Sequence, residues 1–302
     1  MTEMFSVGVG LSAVVIAVTD DRPRVLTVDG PVPSLPTGAL DLRTDGTLER
    51  GLRRLVVEST GVDLGYVEQL YTFGDAGRGG DPGVREIAVA YLGLVREGSV
   101  SGEASWRDLY EFLPWEDMRD PPEGPPWEAG VGRWIEAAPD DDRRTARRER
   151  ATIVFRRGES AWDVERVLER YEMLYEIGVL PESGGSAEPV PGTTMALDHR
   201  RVLAQALGRV RGKLQYRPVV FELMPGEFTL RDLQRVVEAL AGIALHTQNF
   251  RRLLETTRVV EGVGRYDSTT GGRPAELYRF RREVVLERPA PGVGLPGMPT
   301  SG

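Results

Sequence analysis

The chain has 302 residues, a formal net charge of −8, 40% apolar residues and 28% charged residues, which predicts a globular protein of about two domains rather than a disordered or fibrous one. The lack of cysteine excludes disulfides, thiolate metal sites and thiol nucleophiles, and two histidines disfavour a histidine-rich catalytic centre. No apolar run reaches the roughly 20 residues that span a bilayer and no signal peptide is recognisable, so we expect a soluble, cytoplasmic protein with no membrane partner.

Residues 1–104 have the pattern of an α+β domain made mostly of strands. Strands are predicted at 6–18, 24–28, 67–73 and 85–95, with a short strand after the Pro/Gly turn at 35–40. One helix is predicted from Thr47 to near Gly61, because apolar residues recur there at a spacing of three to four.

Residues 105–195 are predicted to be a helical insert, and all five tryptophans lie in it. A helix is predicted over 140–150, where three aspartates precede five arginines and oppose the helix dipole. A capping-box pattern at 160–163 predicts the start of a second helix that continues through Tyr175. Residues 181–194 are rich in Gly, Ser and Pro and lack periodicity, which is typical of a linker.

Residues 196–288 have the element order of a winged helix-turn-helix domain. Helices are predicted at 198–214, 229–240 and 247–257, a strand at 216–223, and two further strands at 258–263 and 276–282. In such a domain the second helix of the helix-turn-helix pair enters the major groove of DNA. Residues 289–302 contain four prolines and four glycines and are predicted to be a disordered tail.

The charge distribution favours a polyanionic partner for the C-terminal part only. Residues 1–195 carry a balance of −14, whereas residues 196–302 carry +6. The apolar residues of the predicted helix 247–257 share one face, so the other face presents amides and guanidiniums suited to base recognition. The predicted DNA contacts are Thr247, Gln248, Asn249, Arg251 and Arg252 on this helix and Arg273 in the glycine-rich wing loop. The alternative is a three-helix domain with a solvated basic face.

Residues 38–62 resemble the Nudix box. Aligned on Gly61, the matching positions are Arg54, Val56, Glu58, Gly61 and Val62. Leu55 and Ser59 replace two of the three glutamates that hold magnesium in working members, and Gly46 replaces an earlier acidic residue. Diphosphate hydrolysis needs divalent cations held by clustered carboxylates. The resemblance therefore implies a retained fold with no catalytic residues and no metal site.

Further segments extend the resemblance along the chain. Residues 68–75, 88–94, 228–234, 249–252 and 272–280 resemble Nudix-related transcriptional regulators of NAD metabolism, and the long middle region resembles a longer-chain branch of that family. The resemblance implies a homodimeric repressor that binds a palindromic operator and needs no cofactor. Its Nudix-like domain would sense a nucleotide such as ADP-ribose, NAD or ATP. In that fold the ligand cleft lies beside the positions of Arg54, Glu58, Glu68, Gln69 and Thr72.

Together these patterns predict an α+β chain with a Nudix-like mixed-sheet sensing domain over 1–104, a tryptophan-rich helical insert and linker over 105–195, a winged helix-turn-helix domain over 196–288 and a tail over 289–302. We expect the insert and the helix 198–214 to transmit or fix the spacing of two recognition helices. Two alternative functions stay open. One is an active Nudix hydrolase with substitute metal ligands among Asp41, Asp45, Glu49 and Glu86, and the other is a related regulator that senses a sugar.

Overall fold

The computed structural model describes residues 6–74, 84–155, 162–185, 189–267, 274–287 and 291–295. In the N-terminal part the strands are β1 (Ser6–Thr19), β2 (Arg22–Val28), β3 (Thr37–Ala39), β4 (Tyr66–Phe73), β5 (Val84–Leu94) and β6 (Ala104–Asp108), with the helix α1 (Leu48–Thr60) between β3 and β4. The middle part contains α2 (Leu109–Phe112), α3 (Glu128–Glu136), α4 (Asp141–Phe155) and α5 (Val167–Glu176). The C-terminal part contains α6 (His199–Tyr216), β7 (Phe228–Thr229), α7 (Leu230–Ala241), α8 (Thr247–Thr257), β8 (Val260–Asp267), β9 (Ala275–Phe280) and α9 (Val284–Glu287). None of the described helices is both long and apolar enough to cross a membrane.

The N-terminal strands form one mixed sheet, which confirms the α+β prediction. The strand order is β4-β5-β1-β2-β6, and β3 pairs with β1. Strands β1 and β5 are parallel, while the other pairs are antiparallel. The central strand β1 is apolar on both faces and its residues 10–16 are buried, as expected for a strand that is covered on both sides.

The helix α1 covers one face of this sheet and begins and ends as predicted. The Thr47 side chain accepts a hydrogen bond from the Arg50 N–H, and Gly61 ends the helix in the left-handed conformation with a φ of 73°. Leu52 and Val56 on α1 are fully buried in one core with Leu11 and other apolar residues of the sheet. Burial of this apolar stripe therefore holds α1 on the sheet.

The middle and C-terminal helices cover the opposite face and, among the described residues, share one apolar core with the sheet. A single apolar cluster includes Ile16 and Leu92 of the sheet, Leu207 of α6 and Phe250 of α8. The helix α7 begins with a capping box between Thr229 and Asp232 and ends at the left-handed residue Gly242. Strands β7, β9 and β8 form a small antiparallel sheet beside α7 and α8. The predicted helix-turn-helix and the two wing strands are thus confirmed.

Several predictions about the middle of the chain were wrong because local composition does not reveal tertiary contacts. The predicted boundary after residue 104 falls inside β6, which pairs with β2 and belongs to the N-terminal sheet. The helix predicted from Ser160, which lies outside the described residues, begins at Val167. The predicted linker 181–194 is packed in its described residues, since Val190 is buried and Glu182 pairs with Arg200.

Two predictions in the C-terminal part were also wrong. The strand predicted at 216–223 is the end of α6 followed by a 3₁₀ helix, Val219–Leu223, because Val219 and Val220 are buried in helical rather than alternating positions. Within the predicted tail 289–302, residues 291–295 are ordered against α6, with Val293 fully buried. The rest of that tail lies outside the described residues.

A buried ion triad joins the middle helices to the C-terminal helices. Glu116, at the end of the 3₁₀ helix Pro114–Glu116, accepts hydrogen bonds from Arg170 Nε at 2.6 Å and from Arg211 Nη1 at 2.6 Å, and all three side chains are fully buried. Arg211 also donates to the Leu240 carbonyl at 3.0 Å, at the end of α7. Burial by itself would raise the pKa of Glu116, but the two guanidiniums outweigh it and lower that pKa.

We expect Glu116→Ala to lower the free energy of unfolding by about 3–5 kcal/mol, because the variant leaves two buried guanidiniums without their carboxylate. Urea unfolding at neutral pH measures this change. The matched control is Glu136→Ala, whose carboxylate is 69% exposed beside Arg144 and Arg148 and is worth about 1 kcal/mol or less.

The same triad predicts that the free energy of unfolding depends on pH in the acid range. Because the Glu116 pKa is lowered in the fold, its stabilisation is complete above the ordinary carboxyl pKa of 4.5 and is lost as the pH falls below it. The difference between the wild type and Glu116→Ala should therefore shrink in acid. Equal stability of the two proteins at neutral pH would contradict this assignment.

Candidate nucleic-acid interface and ligand cleft

The helix α8 presents a polar surface because its apolar residues are confined to one face. Phe250 and Leu254 are buried, at 0% and 2% exposure, with Leu253 and Thr257 partly buried beside them. The predicted contacts Thr247, Gln248, Asn249, Arg251 and Arg252 are all exposed on this helix. Asn249 Oδ1 accepts a hydrogen bond from Arg252 Nη2 at 3.3 Å, so an amide and a guanidinium stand side by side.

The arginines of the wing differ from those of α8 in their partners. Arg279 on β9 pairs with Glu261 at 2.7 Å, Arg265 on β8 pairs with Glu227, and Arg281 pairs with Glu287. By contrast, none of the carboxylates that the structure describes lies within 4.0 Å of Arg251 or Arg252. Arg273 and the loop 268–273 lie outside the described residues. The guanidiniums of Arg251 and Arg252 on α8 are therefore not offset by a described carboxylate at that distance, unlike those of Arg265, Arg279 and Arg281.

The Nudix-box residues on α1 form an ion cluster centred on Arg54. Its guanidinium donates to both carboxylate oxygens of Asp45, at 2.9 and 2.8 Å, and to Glu58 Oε2 at 2.7 Å. The Arg54 hydrogen bonds lower the pKa of Asp45 to about 2. The Glu58 side chain is 62% exposed, whereas that of Asp45 is 2% exposed. The Asp45 carboxylate, next to Gly46, is thus already paired with a cation.

Three of the four carboxylates considered as substitute metal ligands, all except Glu86, are each held by a different group. Asp41 accepts the Arg43 N–H at 2.8 Å, Asp45 is held by Arg54, and Glu49 pairs with Arg53 at 2.9 Å. Over the described ranges, no three His, Asp or Glu residues are grouped so that they could hold a metal ion. A hydrolytic centre for a nucleoside diphosphate needs such a group.

The predicted ligand residues on β4 point to opposite faces of the sheet. Gln69 and Thr72 lie opposite Tyr91 and Val89, whose side chains belong to the core under α1. Glu68 lies opposite Leu92, whose side chain belongs to the other core. The structure therefore places Arg54, Glu58, Gln69 and Thr72 on the α1 side and separates Glu68 from them.

Glu68 contacts α6 rather than the predicted cleft. It pairs with Lys213 Nζ at 2.8 Å, accepts the Tyr66 hydroxyl at 2.5 Å and lies 3.7 Å from Arg209. Burial would raise the pKa of Glu68, but the hydrogen bonds from Lys213 and Tyr66 lower it. The sequence patterns did not predict that Lys213 pairs with Glu68. The one feature that could have drawn attention to Lys213 is that it is the sole lysine of the chain.

Comparison with known proteins agrees with this geometry. Residues 220–280 match the family model of the NrtR DNA-binding winged helix domain. Over 247 residues the chain is 25% identical to the ADPR responsive transcriptional repressor NtrR of Acinetobacter baylyi, covering 82% of this chain and 69% of that protein. The C-terminal part of the chain therefore contains an NrtR-type winged helix domain.

Solved structures share the fold of this chain along most of its length. The crystal structure of Shewanella oneidensis NrtR complexed with a 27mer DNA has a TM-score of 0.56 and 21% identity, covering 92% of this chain and 95% of that chain. A MutT/nudix family protein from Enterococcus faecalis has a TM-score of 0.56 and 17% identity, covering 93% and 89%. These likenesses confirm the predicted combination of a Nudix-like sheet and a C-terminal winged helix.

We expect Arg54→Met to raise the pKa of Asp45 from about 2 towards its ordinary 3.8, because the guanidinium no longer stabilises the carboxylate. In the wild type this ion pair stabilises the fold above the ordinary carboxyl pKa, and the stabilisation is lost as the pH falls through about 2. An NMR titration of the Asp45 carboxyl carbon measures the shift. Arg53→Met, which breaks the neighbouring pair with Glu49, is the control and should leave Asp45 unchanged.

Proposed function

We propose that this chain is an NrtR-type transcriptional repressor that binds operator DNA through α8 and responds to ADP-ribose. The observation that carries the DNA proposal is the exposed surface of α8, where Arg251 and Arg252 have no described carboxylate within 4.0 Å and stand beside the amides of Gln248 and Asn249. Guanidiniums pair with guanine and amides with adenine in the major groove. The Acinetobacter baylyi relative, named as an ADPR responsive transcriptional repressor, supports both the repressor role and the effector.

The proposed DNA complex is a homodimer on a palindromic operator. A two-fold dimer places two α8 helices on half-sites separated by one helical turn of about 34–36 Å or a multiple of it. The paired wing arginines Arg265 and Arg279 contribute less net charge than α8 does, so we assign base contacts to α8 and a phosphate or minor-groove contact to Arg273. The target genes that this proposal favours are those of NAD biosynthesis.

The proposed role of the N-terminal domain is sensing without hydrolysis. Asp45 is neutralised by Arg54, and the remaining box carboxylate, Glu58, is exposed and pairs with the same arginine. The α1 side of the sheet, with Gln69 and Thr72, is the proposed ligand surface. ADP-ribose controls DNA binding only if it binds one conformation of the dimer more tightly than the other.

We expect Arg252→Ala to weaken binding to the promoter of an NAD biosynthesis gene by about 5- to 150-fold for each half-site, since a good guanidinium–guanine pair contributes about 1–3 kcal/mol of discrimination. Fluorescence anisotropy at fixed salt measures the affinity. Arg143→Ala, an exposed arginine of α4, is the control and should bind like the wild type. An equal loss on a scrambled duplex would show phosphate contact only, and an unchanged affinity would refute base reading by α8.

We expect ADP-ribose to raise the thermal unfolding midpoint progressively, with a stabilisation that grows as the logarithm of its concentration above Kd, and to remain intact during incubation with magnesium or manganese. A thermal-shift titration followed by chromatography of the nucleotide measures both results. NAD, ATP, nicotinate nucleotides and a panel of sugars serve as competing ligands. Turnover at an enzymatic rate would establish the hydrolase instead, and a shift with sugars alone would establish a sugar sensor.

A further inference from the structure

Residues 291–295, here called the strap, lie against the end of α6 and next to α8. Pro291 and Val293 are buried, Leu295 is 4% exposed, and the Gly294 N–H donates to the Leu214 carbonyl at 3.0 Å. Val293 and Leu295 belong to the same apolar cluster as Phe250 and Leu254, the two buried residues of α8. The strap is therefore part of the core that supports the recognition helix.

Two glycines allow the strap to pass this close to both helices. A Cβ at Gly292 would lie 2.3 Å from the backbone carbonyl of Gln215 in α6, a distance that no side chain can occupy. Gly294 has a φ of +71°, and a Cβ there would lie 3.0 Å from the Leu253 side chain of α8. The strap backbone thus runs against α6 at Gly292 and against α8 at Gly294.

The recognition helix α8 buries only a small apolar face of its own. Only Phe250 and Leu254 of its eleven residues are buried, so the apolar stripe of α8 is small. Leu253, the residue that the strap contacts, follows Arg252 directly and enlarges this apolar face on one side. Specific recognition of nucleotide bases requires side chains held within about 0.5 Å and about 10–20° of the productive geometry, and a larger packed face holds the helix more firmly.

We propose that the strap is a positioning element for DNA recognition: it fixes the orientation of α8 against α6, so that the polar side chains of α8 meet the bases in one geometry. This inference rests on the proposed DNA-binding function. The strap carries no charge, and its removal leaves every arginine of α8 in place. Loss of the strap should therefore reduce sequence discrimination while leaving the phosphate-driven attraction to DNA intact.

The test compares the full chain with a chain ending at Leu295, a chain ending at Ala290 and the variant Gly292→Ala. Gly226→Ala is the matched control in the same domain, because a Cβ at Gly226 meets no atom within 4 Å. The probes are a duplex selected by the full chain from a random pool and a scrambled duplex of equal length. Anisotropy gives both affinities, and hydrogen exchange gives the protection of the backbone amides of Thr247–Thr257.

We expect the chain ending at Leu295 and Gly226→Ala to behave like the full chain. The chain ending at Ala290 and Gly292→Ala should bind the selected duplex about tenfold or more weakly, with unchanged affinity for the scrambled duplex and faster exchange in α8. Equal loss on both duplexes would indicate general unfolding and overturn the proposal, as would unchanged discrimination in Gly292→Ala.

The two proposals fail in different ways. If the chain ending at Ala290 does not fold, Gly292→Ala decides the outcome with the same measurements. If the full chain selects no duplex, the proposed DNA-binding function fails. The strap is then judged by hydrogen exchange alone, where faster exchange of α8 in Gly292→Ala supports its contact with α8 and unchanged exchange overturns it.

Discussion

The buried triad of Glu116, Arg170 and Arg211 is the constraint on which the arrangement of the middle and C-terminal helices depends. A charge without a partner in an apolar core costs several kcal/mol, so one carboxylate between two guanidiniums requires all three elements to stay together. Arg211 extends the network to the Leu240 carbonyl, and the Tyr110 hydroxyl donates to the Ala239 carbonyl at 2.7 Å. The middle region is thereby built into the DNA-binding half rather than acting as a spacer.

The edge strand β4 links the two halves because its side chains alternate. Gln69 and Thr72 lie on the α1 side, where the ligand surface is proposed, while Glu68 on the other face pairs with Lys213 of α6. The same α6 holds Arg211 of the triad and, at its end, the strap residue Gly294. One helix therefore contacts the sheet, the middle helices and the segment that supports α8.

Local signals were enough for the elements that carry their own start and stop residues. Thr47 and Gly61 bound α1, and Thr229 and Gly242 bound α7, because caps and left-handed glycines act within a few residues. Segments without periodicity were misjudged. The described residues of the glycine- and proline-rich segments 181–194 and 291–295 pack through a few side chains, such as Val190 and Val293, and through close backbone approach, which composition does not register.

By itself, the sequence determined the mixed α+β class, the helix-turn-helix order and the polar face of α8, since each follows from residue type and short-range spacing. The missing carboxylates of the box are instead an implication of the family resemblance. Tertiary structure alone decided that Glu68 faces α6, that Arg54 neutralises Asp45 and that Glu116 joins Arg170 to Arg211. These contacts join residues on different elements, most of them distant in the chain. Their formation depends on which faces of the sheet and helices are buried together, and short-range sequence patterns do not contain that information.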